Sequence, residues 1–294
     1  MMSDASVTNE PFDYLTAFSR TIGWITPAEQ ATLRSKRVAI AGLGGVGGSH
    51  LFTLARLGIQ SFNLADLDRF GTENFNRQAG AFQSTVGQPK LDVVSRMARD
   101  INPDLDIKGF PGGVTFDNMG EFLSGVDLYV DGLDFFVLDI RAKLFALCAE
   151  RGIPAITAAP LGMGAAFLAF LPGQMTFEEY FQLEGRAKNE QLLRFMVGLA
   201  PAVLHQGYLV EPSAVDLVNQ KGPSTPMACE ICAGIAGTQA LKILLGRGKV
   251  IAAPHGLHFD AYRNKFVHTW RPGGNSNPLQ RLILSLARRR FMRK

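Results

Sequence analysis

The sequence predicts an α/β fold: a Rossmann-like, mostly parallel sheet with helices on both faces, plus a helical insertion and a C-terminal hairpin. Three observations predict it. Short apolar runs alternate with helix-spaced segments over the first half. A glycine-rich turn follows the first apolar run, and two later runs end on aspartate. That rhythm is the mark of βαβ units whose helices cover both sheet faces.

The elements follow in order. Residues 12–35 carry helical spacing, with Pro27 placed for a first helical turn after Thr26. Arg37–Ala41 (RVAIA) is a buried strand that runs into glycines. His50–Leu57 is the next helix, stopped at Gly58, and Ser61–Ala65 is the second strand, ending at Asp66. Lys90–Asn102 is a helix stopped by Pro103, and Val126–Val130 is a strand ending at Asp131. Phe135–Arg151 is a helix closed by Gly152, followed by a short strand, Pro154–Ala158. The stretch with Met163, Phe167 and Phe170 reads as core or as a crossover loop.

The rhythm changes near Pro172. Residues 173–223 mix aromatic and charged segments and are expected to form a helical insertion. Cys229–Leu245 is a further helix, and His258–Trp270 a hairpin turning at Arg263-Asn264. Residues 272–278 (PGGNSNP) form a linker before a basic tail. The expected units are therefore 1–36, an N-terminal helical segment; 37–171, a nucleotide-binding domain; 172–271, the insertion, helix and hairpin; and 272–294, linker and tail.

Hydrophobic residues make up 47% and charged residues 19%, enough for a sizeable core and against wholesale disorder. Neither a spanning run of about 18 apolar residues nor a signal peptide is expected. The three cysteines, Cys148, Cys229 and Cys232, are too few for a disulfide framework, so a reduced, cytoplasmic protein is expected. The net charge of +4 is a property of the tail: residues 279–294 hold six basic side chains and no acid, leaving 24 basic against 26 acidic elsewhere. That placement argues against a nucleic-acid-binding face. The tail's Leu279, Ile283 and Leu286, with the arginines behind them, suit contact with an anionic membrane surface or an acidic partner, or else a disordered solubilising end.

Gly42-Leu43-Gly44-Gly45-Val46-Gly47-Gly48 lies between strand and helix, where glycines let the backbone approach a phosphate at a helix N-terminus. Asp66 and Asp68 follow the second strand, where a Rossmann fold places its ribose-binding acid. These features alone suit an NAD(P) or flavin oxidoreductase as well as an ATP enzyme. Downstream come Asn74, Arg77-Gln78, Gly87-Gln88-Pro89-Lys90 and Asp131-Gly132-Leu133-Asp134. Two cations and an acid suit a reaction at a polyphosphate, where negative charge develops and must be met. Hydride transfer has no comparable need for both cations.

The set G-x-G-G-x-G, D-x-D, N-x-x-R-Q, G-x-x-K and an acid after the fourth strand resembles the E1-like (ThiF/MoeB-type) adenylating enzymes. The resemblance covers residues 18–171 well and 224–270 loosely. It implies ATP-dependent adenylation of a carboxylate, with the C-terminus of a ubiquitin-like or sulfur-carrier protein, or a peptide, as substrate. It further implies that Gly42, Gly44, Gly45 and Gly47 shape the nucleotide loop and that Asp66 binds ribose. Asp68, Asn74, Arg77, Gln78, Lys90 and Asp131 would complete the ATP site, and Asp134 would hold Mg2+. Arg20 would reach the active site of the other protomer in a homodimer.

Two departures stand out. Relatives carry two CxxC pairs for structural zinc, whereas Cys229-Glu230-Ile231-Cys232 is the one pair here, so zinc is not expected. Between Leu161 and Ala228 there is no cysteine to accept an acyl group. Cys229, near a helix N-terminus that would lower its pKa, is the candidate nucleophile, set against a packing role for both cysteines. The five histidines show no metal-ligand spacing. A non-catalytic nucleotide-binding scaffold is the remaining alternative.

Overall fold

Strand β1, Arg37–Ala41, is apolar and buried from Val38 onward because it lies inside a sheet covered on both faces. In the computed structural model, which describes residues 10–215 and 222–291, it pairs in parallel with β2 (Ser61–Ala65) and β4 (Leu128–Asp131). Parallel pairing continues to β3 (Asp106–Phe110) on one side and β5 (Ala155–Leu161) on the other. Three antiparallel strands follow, β6 (Gly164–Phe170), β7 (His255–Asp260) and β8 (Lys265–Trp270). The sheet order is β3-β2-β1-β4-β5-β6-β7-β8.

Alternation along the strands splits the core in two. Val38, Ile40, Phe62, Leu64, Val130 and Ile156 face the layer that includes α3 (Gly45–Arg56), α4 (Lys90–Ile101) and α9 (Pro226–Leu245). Ala39, Ala41, Tyr129, Ala155, Leu168 and Phe170 face the layer that includes α5 (Met119–Phe122), α6 (Leu138–Arg151), α7 (Phe177–Phe181) and α8 (Lys188–Leu199). The N-terminal segment supplies α1 (Tyr14–Ala17) and α2 (Pro27–Arg34), the latter with Pro27 in its first turn and a capping box between Thr26 and Glu29. The expected helical insertion contains α7 and α8, and its residues 216–221 lie outside the described part.

The structure departs from the sequence-based elements in five places. Helix α3 begins at Gly45, not His50, because its first-turn glycines pack directly on β1. Strand β3 was not expected: it is polar and largely exposed, and it forms by pairing with β2 rather than from its own pattern. The Met163–Phe170 stretch is core, one of its two expected readings, but Gly164–Phe170 within it forms the fully buried strand β6, which was not expected. Helix α9 is long and apolar enough to cross a membrane, against the expectation that no such stretch exists. Here it packs against α3, β5 and β6 as the central helix of its layer.

The fifth departure concerns the C-terminus. Residues 272–278 are a docked elbow, not an open linker. Buried Asn275 donates its amide to the carbonyls of Phe181 and Arg194, and a Cβ on Gly274 would overlap Tyr180 backbone. The tail that follows is a helix, α10 (Pro278–Phe291), seated on α8 through Leu284, Leu193 and Val197. Gln280 donates to the Val197 carbonyl, and Arg288 pairs with Glu190 at 2.9 Å.

His50 on α3 is 1% exposed, and neither ring nitrogen has a partner among the described residues. Burial holds its pKa down to about 4, so it is neutral in the folded protein while the unfolded chain protonates first as pH falls below 6.5. The unfolded state then binds more protons, and stability must fall from pH 6.5 toward 4. We expect acidification from pH 7 to 5 to cost about 2 kcal/mol through this residue. Denaturant midpoints for the wild type and His50→Leu at both pH values check it. An unaltered acid slope in the variant would rule the assignment out.

Candidate active site

The carboxyl ends of the parallel strands open on one edge of the sheet, and the order reverses there between β1 and β4. That is where open α/β sheets bind ligands. The loop leaving β1 touches the loop leaving β4. Gly42 has φ +82°, and a Cβ on it would overlap the Gly132 carbonyl. A Cβ on Gly47 would overlap the Gly42 carbonyl in turn. Glycine at both positions is thus dictated by backbone contact, and at Gly42 by φ as well. Gly44 caps α3 without a side chain, which leaves the first-turn N–H groups of Gly45, Val46 and Gly47 without intrahelical partners. They form a cradle suited to an anion.

Three segments converge on this loop. From β2, Asp66 accepts the Leu43 N–H at 2.6 Å on one oxygen and the Asp68 N–H at 2.8 Å on the other. Burial pushes its carboxyl above the usual range, while these two bonds and Lys90 pull it back. Asp68 is exposed and pairs at 3.1 Å with Lys90, the first residue of α4, whose ammonium is buried.

The second segment is residues 71–80. Asn74 is buried and accepts the Gly71 N–H, fixing the turn that carries Arg77 and Gln78. Arg77 lies against Gly45, its Cγ 3.6 Å from where a Cβ would stand. Its guanidinium bonds only to the Glu73 carbonyl and the Asn76 amide oxygen, with no carboxylate partner among the described residues. Gln78 lies over Gly44, and its buried Oε1 lacks a partner. A partly buried cation and an orphaned amide beside a glycine cradle fit a bound polyphosphate.

The third segment leaves β4. Asp131 is buried, and all its acceptor capacity goes to protein: Arg141 Nε at 2.8 Å and Thr157 Oγ1 at 2.9 Å on one oxygen, the Leu133 N–H and Tyr129 hydroxyl on the other. The expected nucleotide-binding role thus meets a carboxylate without free lone pairs, and Asp131 shapes the loop instead. Asp134 is different. It is exposed and accepts only the Phe136 N–H, so its second oxygen is open to a cation. The remaining Arg141 donors bond the carbonyls of Leu133, Asp134, Phe135 and Val137, and its guanidinium stacks on Phe195 of α8 at 4.7 Å.

Arg141 is a structural determinant of the site that sequence reasoning missed. Its visible signal was a lone arginine on the apolar face of LDIRAKLF. Also unforeseen is a clamp on the β5–β6 turn. The Tyr208 hydroxyl accepts the Met163 N–H and donates to buried Asp260, while Thr225 Oγ1 donates to the Gly162 carbonyl. Both ends of the segment between α8 and α9 are thereby pinned beside the cleft.

Cys229 lies under the loop, its sulfur 3.0 Å from the Cβ position of Gly45. It is fully buried, and desolvation raises its thiol pKa despite Ser224 and Arg77. That runs opposite to the activation expected of a nucleophile. Arg20 sits exposed in a 3-10 turn (Ser19–Thr21) and bonds to none of the residues above. Among the described residues, no group of three His, Cys, Asp or Glu side chains is arranged to hold a metal.

Known proteins share both sequence and fold with this chain. The tRNA threonylcarbamoyladenosine dehydratase of Bacillus subtilis is 37% identical over 136 residues, covering 46% of this chain and 51% of that protein. The sulfur carrier protein ThiS adenylyltransferase of the same organism is 30% identical over 151 residues, covering 51% and 44%. The chain thus matches about half the length of these relatives. Among solved structures, PaaA superposes with a TM-score of 0.66 at 16% identity, covering 92% of this chain and 77% of that one. Escherichia coli MccB with ATP gives 0.64 at 18%, covering 88% and 73%. These likenesses show a shared fold, with its mostly parallel sheet and antiparallel end. The family description "ThiF family" matches residues 18–282, nearly the whole of the sheet and its helices, and the chain belongs to that family.

Proposed function

We propose that the protein is an ATP-dependent adenylyltransferase that activates the C-terminal carboxylate of a small carrier protein or peptide. The observation that carries the proposal is the convergence of Arg77, Gln78, Asp66 and the Asp134 loop on one glycine cradle, with Lys90 held buried beside it by Asp68. In this reaction a carboxylate oxygen bonds to the α-phosphorus of ATP. The bond from that phosphorus to the bridging oxygen breaks, and pyrophosphate leaves. Charge grows on the phosphoryl oxygens, and fixed cations placed there stabilise it without reorganising.

Each residue takes a role from its surroundings. The Gly42–Gly47 loop cradles phosphate with backbone N–H groups, and Asp66 is placed for the ribose. Arg77 and Lys90 stabilise developing charge. Asp134 would hold Mg2+, which supplies neutralisation of the leaving pyrophosphate. Arg20 is exposed on a segment that also exposes Leu15 and Trp24, the latter 84%. That surface supports a homodimer in which Arg20 serves the partner's site. With Cys229 buried, the acyl adenylate passes directly to an external amine or thiol.

Relatives support this substrate class: one is an adenylyltransferase of the sulfur carrier protein ThiS, and MccB has been crystallised with MccA. The likeness to a tRNA threonylcarbamoyladenosine dehydratase favours a second reading, in which the activated carboxylate is carried by tRNA. ATP–pyrophosphate exchange, run with carrier peptides and with tRNA in parallel, separates the two.

Arg77→Ala and Asp134→Ala should each lower exchange by about 100-fold or more, with thermal unfolding unchanged. Wild-type turnover in either variant would refute its role. Ligand preference is a separate check on ATP against a dinucleotide. Saturating ATP–Mg2+, at roughly 100 times its Kd, should stabilise the fold by about 2.7 kcal/mol, whereas NADH should not. A thermal-shift series reads this, and preferential stabilisation by NADH would return the site to the oxidoreductases.

A further inference from the structure

Helix α10 is apolar on two parts of its surface, and folding accounts for only one. Gln280, Leu284 and Ala287 face α8, and Arg288 reaches Glu190. On the other side Leu279, Leu282 and Leu286, spaced i, i+3, i+7, are 49%, 56% and 56% exposed. Nothing in the described chain covers this stripe.

The charges around it have one sign. Exposed Arg281 and Arg289 flank the leucines, and residues 279–294 contain no acid. Arg281 lies in the first turn of α10, where the helix dipole disfavours a cation, and it makes no ion pair among the described residues. Helix stability therefore does not explain it. The family match ends at residue 282, so the arginine-rich end lies outside what the family shares. The rest of the chain carries a slight excess of acid, so the positive charge is concentrated at this one place.

We infer that α10 is an interfacial helix that lays its leucine stripe on an anionic lipid surface. A stripe of leucines flanked by arginines, on a helix lying flat, has the composition that partitions into the headgroup boundary of a bilayer. Charge complementarity selects anionic headgroups over zwitterionic ones. The docked elbow at Asn275 and the Arg288–Glu190 pair hold the helix against the body, so the stripe is presented without unfolding anything. The inference stands apart from the adenylation chemistry.

The test uses the full chain in co-sedimentation with vesicles of phosphatidylcholine alone or mixed with phosphatidylglycerol. The wild type should bind the anionic vesicles, and salt should weaken binding. Leu279→Ser/Leu282→Ser/Leu286→Ser should lower partitioning about ten-fold or more. Arg281→Glu/Arg289→Glu should abolish the preference for anionic lipid. All five side chains are solvent-facing, and unchanged thermal unfolding of either variant makes its result readable. Wild-type protein that ignores anionic vesicles, or a leucine variant that binds as well as the wild type, overturns the inference. So does light scattering in which the leucine substitutions dissociate a larger species without lipid, since the stripe would then be a protein interface.

Discussion

The Asp131–Arg141 ion pair is the constraint on which the carboxyl-end edge of the sheet depends. Both side chains are 2% exposed, and removing two charges from water is costly unless every lone pair and proton finds a partner. Here they do. Asp131 is satisfied by β5 through Thr157 and by its own loop, while Arg141 spends its other donors on four carbonyls of residues 133–137. The pair is thus less a stabilising contact than a fixture. It determines the path of the chain between β4 and α6, and so where Asp134 can stand. An apolar replacement can match such a pair in energy, but it could not bond those carbonyls.

The same loop is fixed from the other side by glycine. Gly42, Gly47 and Gly132 meet at backbone distance where the sheet order reverses, and any Cβ at these positions would meet a carbonyl oxygen or neighbouring backbone. The cleft therefore has a rigid floor of backbone between β1 and β4. The charged residues around its rim are fewer in their ties: among the described residues Arg77 has no carboxylate partner, and Asp134 accepts one N–H. Rigid floor and under-paired rim suit a site where charge must be met when it develops, since an already neutralised cation would have nothing left to offer.

Most of the sheet was legible because its signals are local. β1, β2 and β4 are apolar runs ended by glycine or aspartate, and the hairpin turns where Asn264 can take φ +52°. The motif residues were legible because their chemistry is written in residue type and order. What escaped notice is tertiary. β3 exists because β2 offers it an edge, and β6 is a seven-residue apolar run that periodicity alone does not distinguish from a helix or loop. Helix α9 is largely apolar and half buried against α3 and the sheet, so a composition that would suit a membrane arises here from core packing. Asp131 shows the limit from the other direction. Two acids three residues apart look alike in sequence, yet one faces Arg141 and the other solvent.

The insertion after β6 is mechanically part of the site rather than an appendage. Phe195 of α8 belongs to an aromatic cluster with Phe177 and Phe181 and carries the Arg141 guanidinium on its face. Farther on, Tyr208 and Thr225 hold the β5–β6 turn from both sides. The α9 helix that follows starts beneath the glycine loop, with Cys229 against Gly45 and Glu230 bonded to Ser49 of α3. The chain after β6 is thus tied at three points to the glycine loop and the segments around it. Buried packing of this kind has few intermediate arrangements, so a change in the insertion's position would be transmitted to the Asp134 loop and to the glycine cradle, not absorbed between them.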